Sequence, residues 1–306
     1  MEHIYDTAVI GGGPGGYTAA LYAARAGLDT LVLEKLSAGG QMAQTAQIDN
    51  YPGFDEGIDG FTLGQRMQAG AERFGARTES AEVRAVTLDA EVKRIETGKG
   101  ILLAKTVIIA TGAEHRHLGV EKEDEYLGRG VSYCAACDGM FYQGKTVAVV
   151  GGGNSAVADA MLLSRICEKV ILIHRRSTLR ATKIYHDRLL NTKNVTFCWN
   201  STVNRLLGEG RLSALELRNV NTGELSRLAV DGVFISVGRV PSTELVKGQL
   251  ALDDNGYILA DESTRTALPG VFAVGDVRAK ALRQIVTATA DGAVAAHYAQ
   301  AYLGAI

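Results

Sequence analysis

Proline is scarce in this chain, at 4 of 306 residues, and no low-complexity segment or single-charge block interrupts it. The sequence therefore holds no Pro-rich linker and no charged tail. Cysteine is equally scarce. Four in a chain of this length exclude a secreted scaffold stapled by disulfides. No apolar run approaches the ~18 residues of a membrane-spanning helix. The segment Met1–Asp6 has no basic stretch with an apolar core behind it, so no secretory signal is expected. Neither sign of charge is in excess: 32 basic against 34 acidic residues leave −2, with no general attraction to nucleic acid or an anionic membrane. These absences lead to the expectation of a cytoplasmic protein, with reduced thiols and with neither nucleic acid nor membrane as partner.

What is present begins with 36 glycines, gathered in short clusters. Clustered glycine marks places where backbone must approach something closely. A hydrophobic content of 46% is enough for a full core, and the length suggests about two domains. Shifting the sequence by 140 positions overlays Thr7–Gly16 on Val147–Ala156. Each copy is a β-branched apolar run, a Gly cluster and a small-residue helix. Each then reaches a second apolar run, Thr30–Leu33 or Val170–Ile173, a strand–turn–helix–strand order that reads as parallel βαβ twice over. Two later strands, Val107–Ile109 and Val233–Ile235, each run on to a glycine, Gly112 and Gly238. The expected class is α/β with two Rossmann-like dinucleotide-binding domains, the second inserted in a discontinuous first. The boundaries fall at residues 1–114 with 243–306, and at 115–242. Val271–Asp276 and a helix from about Gln284 to Tyr302 would complete the first domain.

In the first copy, Gly11, Gly13 and Gly16 follow the dinucleotide fingerprint. One glycine serves the tight turn, one the approach of a pyrophosphate, and one the packing of helix on strand. Glu34 lies 21 positions after Gly13, at the end of the next strand, where a carboxylate can accept hydrogen bonds from a ribose diol. The second copy has Gly151, Gly153 and Ala156, but His174 stands at the position of Glu34, followed by Arg175, Arg176 and Arg180. A carboxylate would repel a 2′-phosphate, whereas guanidinium groups hold one. The first turn thus suits FAD and the second NADPH.

Cys134-Ala135-Ala136-Cys137 is either half a zinc site or a redox dithiol. Zinc needs two more ligands; Cys167 and Cys198 are far apart in apolar contexts, and His115 and His117 are badly spaced. No metal is therefore expected, and two neighbouring nucleotide turns favour the redox reading. Asp138, next to Cys137, is placed to give or take a proton as a thiolate forms. Cys167 reads as a small buried hydrophobe.

Together these segments resemble the low-molecular-weight thioredoxin reductases of the bacterial type, along essentially the whole chain. The likeness rests on Gly11–Gly16, Gly39-Gly40-Gln41, Ala110-Thr111-Gly112, Cys134–Gly139, Gly151–Ala156, His174-Arg175-Arg176 with Arg180, Gly275-Asp276 and Arg283-Gln284. The resemblance implies an NADPH-dependent flavoprotein that reduces thioredoxin and works as a homodimer. It implies FAD contacts at Pro14, Glu34, Gly39, Gly40, Gln41, Asn50, Thr111 and Gly112. Gly275 and Asp276 would face the ribitol, and Arg283, Gln284 and Ile285 would line the flavin. Asn154 and Ser155 join the NADPH turn. Cys137 would face the flavin, Cys134 would attack the partner disulfide, and Asp138 would be the acid. Arg129, Met140 and Phe141 would receive thioredoxin. The loop departs from the family in two places: Ala136 replaces a frequent Thr, and Met140-Phe141 replaces a frequent aromatic pair. Relatives with another electron donor or acceptor, fed by ferredoxin or oxidised by oxygen, are the alternative; they tend to lose the second fingerprint, which is intact here.

Overall fold

A computed structural model describes residues 3–45, 47–183 and 186–304. The chain divides into two compact units, Met1–Glu114 with Val240–Ile306, and His115–Arg239. The return to the first unit comes at Val240, three residues before the expected 243. Ser242 already belongs there, because its N–H donates to Gly112 O (3.0 Å) and its carbonyl accepts from Thr111 Oγ1 (2.7 Å). The connections themselves, β7 (Ala113–His115) and β16 (Arg239–Pro241), pair as a two-stranded ribbon.

The first unit is built on β1 (Ile4–Ile10), β2 (Thr30–Glu34), β3 (Arg77–Ser80), β4 (Val83–Thr87), β5 (Lys93–Thr97), β6 (Gly100–Ile109) and β17 (Val271–Ala273). The sheet runs β3-β2-β1-β6-β5-β4, with β17 also on β6. Strands β1, β2, β3, β6 and β17 are parallel; β4 and β5 are antiparallel additions. The ten-residue β6 forks, pairing with β5 over 100–104 and with β17 over 107–109. Alternation sends Ala8, Ile10, Leu31, Leu33, Val107 and Ile109 to one face, against Val246, Ile258 and Val277. Val9, Val32 and Ile108 go to the other, against α1 (Pro14–Arg25) and α6 (Ile285–Tyr302). Burial on both faces is why these strands read as unbroken apolar runs. Helix α2 (Gly60–Glu72) begins at Asp59, whose carboxylate accepts from Thr62 N at 2.8 Å.

The second unit holds a five-stranded parallel sheet in the order β11-β10-β9-β15-β8. Its strands are β8 (Val131–Ser132), β9 (Thr146–Val150), β10 (Lys169–Ile173), β11 (Val195–Cys198) and β15 (Gly232–Ile235). One face packs on α3 (Ala135–Asp138) and α4 (Asn154–Leu163), through Val147, Val149, Leu172 and Phe234. Helix α5 (His186–Leu190) lies beyond β10 in the chain. The other face, with Ala148, Ile171, Ile173 and Val233, is covered by an antiparallel sheet of β12 (Ser201–Gly208), β13 (Leu212–Asn219) and β14 (Leu225–Ala229). Among the described residues no helix is long and apolar enough to cross a membrane.

Candidate functional site

The first Gly turn joins β1 to α1. Gly11 has φ +108°, and a Cβ there would come within 2.4 Å of Ala110 O; one at Gly16 would lie 2.0 Å from Gly11 O. Both positions are closed by packing. Gly13 differs: a Cβ there meets no atom within 4 Å among the described residues, so its missing side chain leaves an open cradle. Gly13 caps α1, Pro14 occupies the first helical position, and the free N–H groups at that end favour an anion.

Distant segments converge on this cradle. Gly12 N donates to Glu34 Oε2 at 2.6 Å and Leu36 N to Glu34 Oε1 at 2.9 Å, which fixes the carboxylate and leaves further lone pairs for a diol. Gly39 N donates to Gly12 O (2.8 Å), and a Cβ on Gly40 would lie 3.6 Å from Gly13 Cα; Gln41 follows, exposed. Thr111 and Gly112 follow Ala110 at the end of β6, where Ala110 N bonds Ile10 O. A Cβ on Gly15 would lie 3.2 Å from Val274 Cγ2 and 3.6 Å from Gly275 N, which brings the Gly275–Asp276 turn alongside the helix start. Asn50 Nδ2 donates to Gln284 Oε1 (3.0 Å) across 234 residues, and Gln284 caps α6 ahead of Ile285 through a capping box with Thr287. Arg283 lies over the Tyr257 ring at 4.0 Å, and its buried Nε has no hydrogen-bond partner among the described residues. The open cradle and the orphaned Nε fit a bound nucleotide.

The second turn repeats the first bond for bond. Gly151 N donates to Ile173 O as Gly11 N does to Leu33 O, and Val157 N to Gly153 O as Tyr17 N does to Gly13 O. Gly153 is open in the same way as Gly13. Asn154 Oδ1 accepts from Thr182 N (2.9 Å), so this side chain ties down the loop beyond the arginines; Ser155 is exposed beside it. His174 is placed apart from the guanidinium groups with which the sequence grouped it. It is 4% exposed, and a Cβ on Gly152 would lie 2.2 Å from its ring. Burial first, then Arg180, Arg176 and Arg175, lower its pKa and keep it neutral. Its Nε2 is buried without a partner among the described residues. Arg175, Arg176 and Arg180 are exposed, and Arg180 N bonds Gly152 O at 2.7 Å. The cationic loop is thereby held against the glycine turn, and the orphaned nitrogen and open cradle again fit a nucleotide.

Cys134 and Cys137 form a disulfide at the start of α3, just after edge strand β8. Cys137 N donates to Cys134 Sγ at 3.2 Å, a contact that favours a thiolate on that sulfur. Ser132 Oγ links the loop, donating to Asp138 Oδ2 (2.6 Å) and accepting from Cys134 N (3.1 Å). Burial pushes the Asp138 carboxyl up, and the Ser132 hydroxyl lowers it by less. Met140 (60% exposed) and Phe141 (49% exposed) present an apolar surface immediately after it. Arg129 is exposed on a separate turn, where its carbonyl accepts from Leu212 N. Cys167 is buried, its thiol pushed up to about 11 by burial; Cys198 is half-buried and also raised. Among the described residues no group of three or more His, Cys, Asp or Glu could hold a metal.

Two nucleotide-type turns, and a disulfide on the unit that carries the second, narrow the comparison with known proteins. Residues 5–292 match the pyridine nucleotide-disulphide oxidoreductase family. A thioredoxin reductase of Listeria monocytogenes is 50% identical over 303 residues, covering 99% of this chain and 95% of the relative. One from Streptomyces coelicolor is 47% identical over 309 residues, covering 100% and 96%. The crystal structure of a thioredoxin reductase from Streptococcus pyogenes matches all of both chains, with a TM-score of 0.93 and 44% identity. The chain belongs to the bacterial-type low-molecular-weight thioredoxin reductases. One residue beside this reductase fold's disulfide carried no sequence signal: Ser132, between Cys134 and Asp138. Asp291 did have one, as a lone acid in an apolar helix.

Proposed function

We propose that this protein reduces the disulfide of thioredoxin or a thioredoxin-like protein at the expense of NADPH. FAD would be held by the unit Met1–Glu114 with Val240–Ile306. The unit His115–Arg239 would hold NADPH and carry the dithiol. The observation that carries the reading is the Cys134–Cys137 disulfide with a half-buried carboxyl, Asp138, joined to it through Ser132.

FAD, when bound, supplies two-electron transfer between the nicotinamide and the disulfide. The chain's own residues do the rest. Glu34 would accept the ribose hydroxyls, and the α1 start at Gly13–Pro14 would receive the pyrophosphate. Asp276, Arg283, Gln284 and Ile285 would orient the ring system. Arg175, Arg176 and Arg180 would hold the 2′-phosphate, with Gly151–Ala156 under the pyrophosphate. Once the pair is reduced, the Cys134 thiolate, favoured by the Cys137 N–H, attacks one sulfur of the partner disulfide. The other sulfur leaves and takes a proton, for which Asp138 is the donor. Cys137 then displaces the partner's remaining sulfur, and the Cys134–Cys137 bond re-forms. Two electrons pass to the partner and none remain on the dithiol. Met140 and Phe141, with Arg129 nearby in the chain, would form the receiving surface. The working form would be a cytoplasmic homodimer.

Stopped-flow flavin absorbance tests this directly. NADPH should bleach the flavin of the purified yellow protein and oxidised thioredoxin should restore it. Bleaching without recovery would exclude thioredoxin as acceptor. Colourless protein would exclude the flavin.

A further inference from the structure

Helix α6 is almost entirely apolar, yet it buries one acid. Asp291 is 6% exposed and accepts four hydrogen bonds. Arg278, 3% exposed, grips it with two prongs, Nε to Oδ2 at 3.0 Å and Nη2 to Oδ1 at 2.8 Å. Lys280 Nζ donates to Oδ2 at 2.6 Å. The fourth donor is the backbone N–H of Gly275, at 2.9 Å. Gly275 has φ +73°, a left-handed turn whose N–H is thus locked from behind by a carboxylate 16 positions further on. The next residue, Gly292, meets α1 so closely that a Cβ there would lie 2.2 Å from Gly15 O. One helical turn of α6 therefore fixes both the Gly275–Asp276 turn and the α1 start, the two pieces read above as flavin contacts.

The charges do not balance locally. One buried carboxylate faces two buried cations; the further acids near Arg278, Glu262 at 3.9 Å and Asp261, are exposed and weakened by solvent. Removing the shared anion leaves two cations unneutralised behind the turn, the arrangement in which deleting one partner of a buried ion cluster costs most.

We propose that Asp291 is a positioning residue for flavin: its carboxylate, balanced by Arg278 and Lys280, holds the Gly275–Asp276 turn and the start of α1 in the geometry that retains the nucleotide. This rests on the flavin reading of the first unit. The two can fail separately. The test is the rate of FAD release from purified holoprotein on dilution, followed by the fluorescence of freed FAD. Asp291→Asn is nearly isosteric and should speed release by at least about tenfold. Lys280→Met leaves the carboxylate neutralised by one buried cation, Arg278, and bonded to Gly275 N, so it should change release by no more than about threefold. The double variant Asp291→Asn, Lys280→Met should release FAD more slowly than Asp291→Asn alone, because one of the two uncompensated cations is gone. A merely structural role predicts that release across the three variants tracks their loss and recovery of stability in urea, whereas positioning moves release without a matching change in stability. If Asp291→Asn yields no folded protein, Arg278→Lys, which keeps the charge but loses the two-pronged bond, should still speed release several-fold. Wild-type release rates in Asp291→Asn or, failing its folding, in Arg278→Lys, or a double variant no slower than Asp291→Asn, would overturn the role. Wild-type protein purified without flavin would instead overturn the flavin reading beneath it.

Discussion

The Gly11–Gly16 turn and the Gly151–Ala156 turn are one backbone device used twice, with the same capping bonds and the same open glycine. Their difference lies one strand further on. In the first unit the end of β2 places Glu34 on Gly12 N, a carboxylate anchored by two backbone donors. In the second, His174 fills the space beneath Gly152 and the charge moves out to exposed arginines. On the proposed reading the glycine turn would serve as a general phosphate seat, and the residues at the end of the second strand would choose between a free ribose and a 2′-phosphate. The helix start differs by one methyl as well. A Cβ at Gly16 would lie 2.0 Å from Gly11 O, whereas its counterpart Ala156 already carries one. The second unit also has what the first lacks, a disulfide just after its edge strand.

That last difference gives the largest expected effect. Cys134→Ser or Cys137→Ser should abolish thioredoxin turnover while NADPH still bleaches the flavin; turnover by either variant in a coupled assay would break the assignment. Asp138→Asn should slow reoxidation of the enzyme by thioredoxin by about 10²–10⁴-fold, the usual range for a lost general acid. The sign of the pH effect follows from burial, which raises the Asp138 carboxyl and preserves its acid form to higher pH than in a free aspartate. Thioredoxin reduction should fall as pH rises through that raised pKa, and Asp138→Asn should lose this limb. Ser132→Ala removes the opposing, lowering hydrogen bond, so the limb should move to higher pH. Unchanged pH profiles in both variants would leave Asp138 as a turn residue.

The distal side chains come next. Neutralising Arg175 and Arg176 together should cut the preference for NADPH over NADH in kcat/KM by about 10²-fold, since a charged hydrogen bond is worth about 1.5–3 kcal/mol. FAD content should stay constant. Glu34→Gln should do the reverse, weakening FAD retention and leaving coenzyme preference alone. If either variant moves both quantities, the division of labour between the turns is wrong. At the helix starts, Gly16→Ala should destabilise by about 1–3 kcal/mol through overpacking, while Ala156→Gly should cost only about 1 kcal/mol in helix propensity. Urea melts of the holoprotein compare the two. Cys167→Ser and Cys198→Ser should leave turnover nearly unchanged.

Much of the fold was legible because parallel strands buried on both faces spell themselves as apolar runs, and a glycine turn must follow them. The antiparallel additions were not. Strands β4 and β5, and the sheet β12–β14, carry mixed, half-exposed residues whose pattern depends on which neighbour covers them. His174 was legible as a position but not as an environment: its place after β10 was right, while its burial beneath Gly152 could not be read from the two arginines beside it.

The sequence by itself determined the duplicated βαβ order, the spacing of the Cys pair and the sign of charge after each second strand. These are local: each is carried by residues within one strand–turn–helix span, where backbone sterics and short-range pattern dictate the outcome. Only the tertiary structure decided which distant groups meet. Asn50 reaches Gln284, Ser132 stands between Cys134 and Asp138, and Asp291 bonds Gly275 N. A hydrogen bond needs its partners within about 3 Å, and across long sequence separations that proximity is set by how helices and strands pack, which no short stretch of residues encodes.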